Sequence, residues 1–146
     1  MHRRLLRSLL VEETTLELTT RWHIMTPFRE DLERSGYITS RTLRCRSNGR
    51  MVKVAGKVVL IHTPPTRSGI RVMFVTLEDE FGLIDLAVFP KAQERYAKVI
   101  LSSPILLVSG KVRRLGARDI SLVVSEVQTL KALYQGPSSY FSVQNP

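Results

Sequence analysis

One stretch decides the fold: RVMFVTLEDEFG at residues 71–82, followed at once by LIDLAVF at residues 83–89. In each run apolar side chains recur at alternate positions, as in a β-strand that buries one face. The acidic triplet at residues 78–80 and the glycine that follows it are typical of a short turn. The stretch is therefore predicted to be a β-hairpin.

Three further strands and one helix are predicted around this hairpin. Strand-like runs span residues 51–61, 104–115 and 119–130, and good helix formers fill residues 91–100. The resulting order along the chain is strand, strand, strand, helix, strand, strand.

Glycines support a strongly curved sheet. Gly56 lies inside the first predicted strand and Gly110 inside the fourth, where each marks a bulge or a sharp bend of the kind that barrel corners require. The predicted fold class is all-β with small helical additions: a five-stranded oligonucleotide/oligosaccharide-binding (OB) Greek-key barrel with a helix between strands three and four. An SH3-like barrel is the main alternative, but it lacks a helix of this length at that point.

The chain is predicted to have three parts. Residues 1–49 form a helical N-terminal segment, in which one helix begins at Pro27 and stops at Gly36. Residues 50–131 form the barrel, and residues 132–146 form a mobile tail.

The charge of the chain points to a polyanionic partner. Its 146 residues include 22 Lys and Arg against 13 Asp and Glu, which gives a net charge of +9. An excess of this size favours nucleic acid over an anionic membrane surface. No apolar run approaches the roughly 20 residues of a membrane span. Cys45 is the single cysteine, so no intramolecular disulfide is possible and a cytoplasmic location is expected.

Strand alternation predicts where a ligand would bind. An OB barrel binds across strands two and three, between the loop that joins strands one and two and the loop that joins strands four and five. Phe74 and Phe89 are predicted to lie on this open face, with Lys53 and Lys57 beside them. Aromatic rings stack on unpaired bases at ~1–3 kcal/mol each, and cations neutralise phosphates.

Arginines on the two loops complete the predicted interface. The predicted nucleic-acid-binding residues are Lys53, Lys57, Arg67, Arg71, Phe74, Phe89, Arg113, Arg114 and Arg118. The alternative is a place in the barrel core for the two phenylalanines and an ordinary solvated surface for the arginines.

No catalytic or metal centre is predicted. The acidic triplet at residues 78–80 cannot converge on one ion from a single turn, so a turn-capping role suits it better. His2, His23 and His62 lack the spacing of metal ligands. No phosphate-binding loop or nucleophile motif is present, so we expect a binding protein without a cofactor and without catalysis.

Several segments together resemble a known family. They are MVKVAGKV at 51–58, TLEDEFG at 76–82, AVFP at 87–90, ERY at 94–96 and LVSGKV at 107–112. The combination resembles the OB domain near the C-terminus of bacterial DNA polymerase III alpha subunits, most closely the error-prone branch that works with the SOS mutagenesis machinery. Residues 22–32, WHIMTPFREDL, are similar to the linker that leads into that domain.

The resemblance implies binding of single-stranded DNA, with no nucleotidyl transfer, because the polymerase palm has no counterpart in this sequence. The chain would be a non-catalytic fragment or remnant of such a polymerase, or a stand-alone OB protein. Two departures affect the expected groove. The loop at residues 61–69 keeps only Arg67 as a cation, and Asp85 stands where the family commonly has Asn.

Two other functions stay open. The barrel could dock replication or repair proteins, since residues 135–141 loosely resemble a peptide that binds the sliding clamp. It could also bind RNA in the manner of a tRNA-anticodon-binding domain, because that wider OB superfamily shares the pattern at residues 74–79.

Overall fold

The computed structural model describes residues 23–135. Its five strands are β1 (Met51–His62), β2 (Met73–Asp79), β3 (Gly82–Val88), β4 (Ile105–Arg114) and β5 (Ile120–Thr129). Its helices are α1 (Arg29–Arg34), α2 (Ser40–Leu43) and α3 (Pro90–Ser102), with 3-10 turns at Thr26–Phe28 and Leu130–Tyr134.

The strands close into a barrel in the order β1-β2-β3-β5-β4. β1 pairs antiparallel with β2 and with β4, β2 pairs antiparallel with β3, and β4 pairs antiparallel with β5. A short parallel ladder between β3 and β5 completes the circle. With α3 between β3 and β4, this is the predicted five-stranded OB barrel, and the predicted fold class is confirmed.

Alternate strand residues fill the barrel interior. Val54, Val75, Leu86 and Leu122 are almost fully buried, and each comes from a different strand. Burying such a side chain stabilises the fold by about 1.5–3 kcal/mol. Ile100 of α3 is also buried in this cluster, so the helix covers one end of the barrel.

Gly110 lies at a bulge, as predicted. The β4–β5 register shifts between Ser109 and Gly110. A Cβ at Gly110 would lie only 2.6 Å from the carbonyl oxygen of Val123, so the strands approach more closely here than a side chain allows.

Gly56 has a related role without a bulge. A Cβ there would lie 2.9 Å from the Leu77 Cβ and from the Glu78 carbonyl oxygen, because β1 turns from β4 towards β2 at this point. The bulge of β1 lies further along, between Val58 and Leu60. It reverses which side chains of the strand face outward.

Residues 23–49 pack against the barrel. Ile38 forms a parallel bridge with Val54, and the Ile38 N–H donates to the Lys53 carbonyl over 2.8 Å. A second apolar cluster joins this segment to β1 and β4; its buried members are Met25, Leu32, Tyr37, Ala55, Ile105 and Leu107.

The first helix begins later than predicted. Residues Thr26–Phe28 form a 3-10 turn, and α1 starts at Arg29 and not at Pro27. Gly36 ends it as predicted: its φ is +88°, and the next N–H, of Tyr37, donates back to the Leu32 carbonyl over 2.9 Å.

Asp79 fixes both the hairpin turn and the N-terminal segment. Its side chain is buried, and Oδ1 accepts hydrogen bonds from the Phe81 and Gly82 N–H groups at 2.9 and 3.1 Å. These bonds give the acidic triplet its expected turn-capping role. The Ser40 N–H and hydroxyl also donate to the Asp79 carboxylate, each over 2.7 Å, so α2 is fastened to the hairpin.

Glu80 fastens α1 to the same turn. Arg29 donates to its carboxylate twice, at 3.0 and 2.6 Å, and both side chains are largely buried, with 14% and 12% exposed. Burial opposes ionisation of Glu80, but the hydrogen bonds and charge of Arg29 outweigh it and hold the pKa of Glu80 below its ordinary 4.5.

Some predictions concern residues beyond this range. The part of the predicted helical segment before residue 23 lies outside the described residues. So do residues 136–141 of the clamp-like peptide predicted at 135–141 and residues 136–146 of the tail predicted at 132–146. Within the range, Tyr134 belongs to the last 3-10 turn and its hydroxyl donates to Asp31 over 2.7 Å.

The division of the chain at residues 49 and 131 stays a prediction. Among residues 23–135, no helix is long and apolar enough to cross a membrane.

Candidate nucleic-acid interface

A groove of about 430 Å³ crosses the outer face of β2 and β3. Phe74, Thr76, Asp85 and Ala87 line it from these two strands. His62 lines it from the end of β1, and the turn between β4 and β5 supplies the residues of the opposite wall: Arg113, Leu115, Asp119 and Ser121. The groove therefore lies where an OB barrel is expected to bind.

Phe74 is an exposed aromatic platform in this groove. It pairs with His62 of β1 and with Ala87 of β3, so the three residues form one row on the outer face. The rings of Phe74 and His62 are stacked, with centroids 5.5 Å apart and planes 28° apart. Phe74 is 39% exposed, and its cross-strand neighbour Ala87 has a small side chain. A planar base can stack there.

The next row of the groove is polar. The Thr76 hydroxyl donates to the Asp85 carboxylate over 3.2 Å, and the two residues are cross-strand partners. Asp119 lines the far wall. These oxygens can accept hydrogen bonds from the amino groups of bases, whereas phosphates must be held by the surrounding cations.

Two cations of β4 face the groove side of the barrel. Arg113 is exposed and lines the groove directly. Lys111 lies two residues earlier, is also exposed, and faces outward like Arg113. It pairs with Val123 of β5, and Val123 pairs with Ala87, which lines the groove. Sequence reasoning missed Lys111, although simple alternation from Arg113 would have placed both side chains on one face.

The β1–β2 loop supplies two predicted cations. Arg67 and Arg71 are both exposed. The Arg71 carbonyl accepts a 2.7 Å hydrogen bond from the Gln93 side chain, which also donates to the Val88 carbonyl, so α3 holds the end of this loop against β3. Arg118 lies in the β4–β5 turn, in a second depression beside the groove.

Phe89 is exposed but lies apart from the groove. It lines a depression with Arg95, Tyr96 and Ser125, on the side of the barrel covered by α3. Its outward parity is as predicted. However, Phe89 follows the last residue of β3, and its depression is lined by residues of α3 and β5 and by none of β2.

Lys53 and Lys57 lie on a different part of the barrel. Lys53 pairs with Ser109 of β4, and its ammonium group lies 4.6 Å from the centroid of the Tyr37 ring. Burial, followed by the charge of Glu126, raises the pKa of Tyr37. Lys57 pairs with Glu78, at the far end of β2 from Phe74.

Arg114 is engaged in hydrogen bonds within the protein. Its guanidinium donates to four backbone carbonyls: those of Gly116 and Ala117 at 3.3 Å, that of Arg46 at 3.4 Å, and that of Arg44. These bonds connect the β4–β5 turn to the segment before the barrel. The structure therefore gives Arg114 a positioning role beside the groove, while Arg113 faces into it.

No metal centre is formed by the described part of the chain. Among residues 23–135, no three His, Cys, Asp or Glu side chains come together as ligands for an ion. The geometry offers a stacking surface, hydrogen-bond acceptors and surrounding cations, which is the chemistry of nucleic-acid binding.

Comparison with known families identifies the barrel. A family model described as an OB-fold nucleic acid binding domain matches residues 52–130, which is the whole barrel except Met51. The chain belongs to this family. The match covers every strand of the groove, whereas residues 23–49 fall outside it.

Curated relatives include error-prone DNA polymerases. The chain is 44% identical to one from Symbiobacterium thermophilum over 115 residues, which are 77% of this chain and 10% of the relative. It is 38% identical to another from Teredinibacter turnerae over 108 residues, 74% of this chain and 10% of the relative. The predicted resemblance to the error-prone branch is confirmed. The chain spans about a tenth of the length of the relatives it matches.

Solved structures support the fold. A structure of RecG bound to a three-way DNA junction matches 67% of this chain and 13% of that chain with a TM-score of 0.53 at 18% identity. Asparaginyl-tRNA synthetase from Pyrococcus horikoshii matches 75% of this chain and 30% of that chain with a TM-score of 0.50 at 13% identity. At such identities the likeness establishes the barrel and nothing more specific.

Proposed function

We propose that this OB-fold domain binds single-stranded DNA in the groove over β2 and β3, as a non-catalytic module related to error-prone DNA polymerases. One observation carries the proposal: Phe74, stacked on His62, presents an exposed aromatic surface between two cationic loops. A stacking platform requires an unpaired base, so it favours single strands over duplexes.

The bound strand would be held by two kinds of contact. A base stacks on Phe74, and its polar edge reaches the acceptors on Thr76 and Asp85. Arg113 and Lys111 on one side neutralise phosphates, and Arg67 and Arg71 on the other side supply further cations. Stacking accepts every base, so little sequence preference is expected.

Similarity to error-prone DNA polymerases supports a proposal for the cellular setting. A module of this kind would support DNA replication and repair in the cytoplasm, bringing template strand to chemistry that is carried out by other domains or proteins. The module itself is proposed to bind without catalysing a reaction, because the residues that line the groove provide binding groups and no nucleophile with an activating base.

Single-stranded RNA is a second candidate. Asp85 and Asp119 place carboxylate oxygens on the groove surface, where they could accept a hydrogen bond from a ribose 2′-hydroxyl. Competition between DNA and RNA of one sequence would rank the two ligands.

Fluorescence anisotropy with a labelled oligothymidylate of about 20 nucleotides at low salt tests the proposal, since OB folds engage about 4–16 nucleotides. We expect binding that weakens steeply with salt. The salt slope, meaning the decrease in the logarithm of the binding constant per tenfold increase in salt concentration, should be roughly 0.7 per phosphate contact. We also expect Phe74→Ala to weaken binding about tenfold, within the range for loss of one stacked base, and Phe74→Trp to preserve it.

The matched control is a duplex of the same length. Absence of binding to the single strand at low salt would reject the proposal. Equal affinity for the duplex, or an unaltered affinity in Phe74→Ala, would reject the assignment to this groove.

A further inference from the structure

A second depression, of about 270 Å³, adjoins the groove across the β4–β5 turn. Arg118 lines it from the turn, and Ser40 and Arg44 line it from the segment that precedes the barrel. Asp85 lines both the groove and this depression, so the two form one continuous surface. Arg44 and Ser40 lie before residue 52, where the family match begins.

An exposed aromatic ring lies next to this depression at the tip of the β2–β3 hairpin. Phe81 is 39% exposed, and the guanidinium carbon of Arg41 lies 4.5 Å from its ring centroid. Phe81 immediately precedes Gly82, and Leu83 of the same hairpin lines the depression. Stacked guanidinium and aromatic planes are surfaces on which unpaired bases pack.

Gly82 of the hairpin leaves room for the guanidinium group of Arg44. Gly82 has a φ of +153°, and a Cβ there would lie 2.7 Å from Nη2 of Arg44. The Asp79 carboxylate, bonded to Ser40, holds α2 beside the hairpin, and Arg114 holds the Arg44 carbonyl. The position of the Arg44 backbone is thus fixed from two directions, while its guanidinium group points to the surface.

The three arginines carry charge that is available to a ligand. Among residues 23–135, the acidic side chains that form salt bridges do so with His23, Arg29 and Arg34. No described carboxylate lies within 4.0 Å of a guanidinium nitrogen of Arg41, Arg44 or Arg118. All three arginines are exposed. A polyanion passing over them would therefore displace counterions and would not have to displace a protein carboxylate.

We infer that this surface, formed by Arg41, Arg44, Phe81 and Arg118, is a second subsite for the same single strand. Arg44 and Arg118 hold phosphates beside Asp85, and the next base packs against Phe81 and Arg41. The segment before the barrel thereby becomes part of the nucleic-acid interface. The inference rests on the proposed function, because it concerns the continuation of a strand already bound at Phe74.

Strand length separates the two subsites. Wild type and an Arg41→Gln/Arg44→Gln double variant are titrated by anisotropy with oligothymidylates of about 6 and about 16 nucleotides, which span the known OB-fold site sizes. We expect the double variant to bind the long strand about tenfold more weakly, because the phosphate contact of Arg44 and the base packing of Arg41 are both lost. The salt slope should fall by about 0.7, for the one lost phosphate contact. Its affinity for the short strand should equal that of wild type.

Two further variants sharpen the test. Lys98→Gln/Lys131→Gln removes the same charge from exposed residues outside both depressions and should leave the length dependence unchanged. Phe81→Leu keeps apolar bulk, removes the aromatic face, and should weaken only the long strand. Equal losses for both strand lengths, or no loss relative to the lysine control, would overturn the second subsite. Failure of wild type to bind either strand would instead reject the proposed function.

Discussion

Neighbouring arginines at the end of β4 illustrate how one residue step changes a side chain's role. Arg113 is exposed and lines the groove, whereas Arg114 points to the other side of the strand and donates to four backbone carbonyls. The same charge thus lines the proposed binding groove at one position and supports the turn at the next.

These roles predict different consequences for the same substitution. Arg113→Gln should weaken binding of single-stranded DNA and lower the salt slope by about 0.7, with an unchanged melting temperature. Arg114→Gln should instead cost about 1–2 kcal/mol of unfolding free energy, since several hydrogen bonds of a charged group are lost. Anisotropy and denaturant unfolding on both variants measure the contrast. A reduced salt slope in Arg114→Gln alone would show that the assignments are reversed.

The outward faces of these residues were predictable, but their neighbours were not. Alternation within β2 and β3 places Phe74 and Phe89 outside the barrel, and both are exposed. Which strand flanks each residue depends on closure of the barrel, and this separates Phe89 from the groove. His62 reaches Phe74 because of the β1 bulge between Val58 and Leu60, which no glycine or proline marks in the sequence.

At the level of elements, the hairpin turn organises two helices as well as two strands. Asp79 binds the start of α2 and Glu80 binds Arg29 of α1. Sequence patterns predicted the five strands and α3 with ends that differ by only a few residues. They could not show that the acidic triplet also binds the segment before the barrel, because the contacts Ser40–Asp79 and Arg29–Glu80 join residues about 40 and 50 positions apart.

The Glu80–Arg29 pair predicts a specific dependence of stability on pH. Because the folded pKa of Glu80 lies below its ordinary 4.5, its stabilising contribution is complete above that value and is lost as the pH falls through the folded pKa. Glu80→Gln should cost about 2 kcal/mol at pH 7, the scale of a hydrogen bond to a charged group, and the difference from wild type should shrink below about pH 4.

Denaturant unfolding between pH 3 and pH 7 provides the measurement. Glu94→Gln, an exposed carboxylate on α3, is the matched control and should follow the wild-type pH profile. If Glu80→Gln keeps the same pH dependence as wild type, the ion pair does not contribute as described.

At the scale of the whole molecule, the structure packs the segment at residues 23–49 against the barrel, a contact that the charge pattern did not predict. The net charge of +9 favours a polyanionic partner, but it does not show which face of the protein binds that partner. The arginines have two different roles in the structure. Arg113, Arg118 and Arg44 line the groove or the adjoining depression, whereas Arg29 and Arg114 hold the segment before the barrel in place. The family match identifies the barrel, while the contacts of residues 23–49 suggest that the interface extends beyond it.

The most direct test of the central claim is a two-dimensional amide NMR titration of the full chain with an oligothymidylate. The groove predicts that amide resonances of Phe74, Ala87, Arg113 and Ser121 shift on binding, while those of Lys53, on the face covered by Tyr37, stay in place. Shifts centred on Lys53, with the groove residues unaffected, would contradict the account.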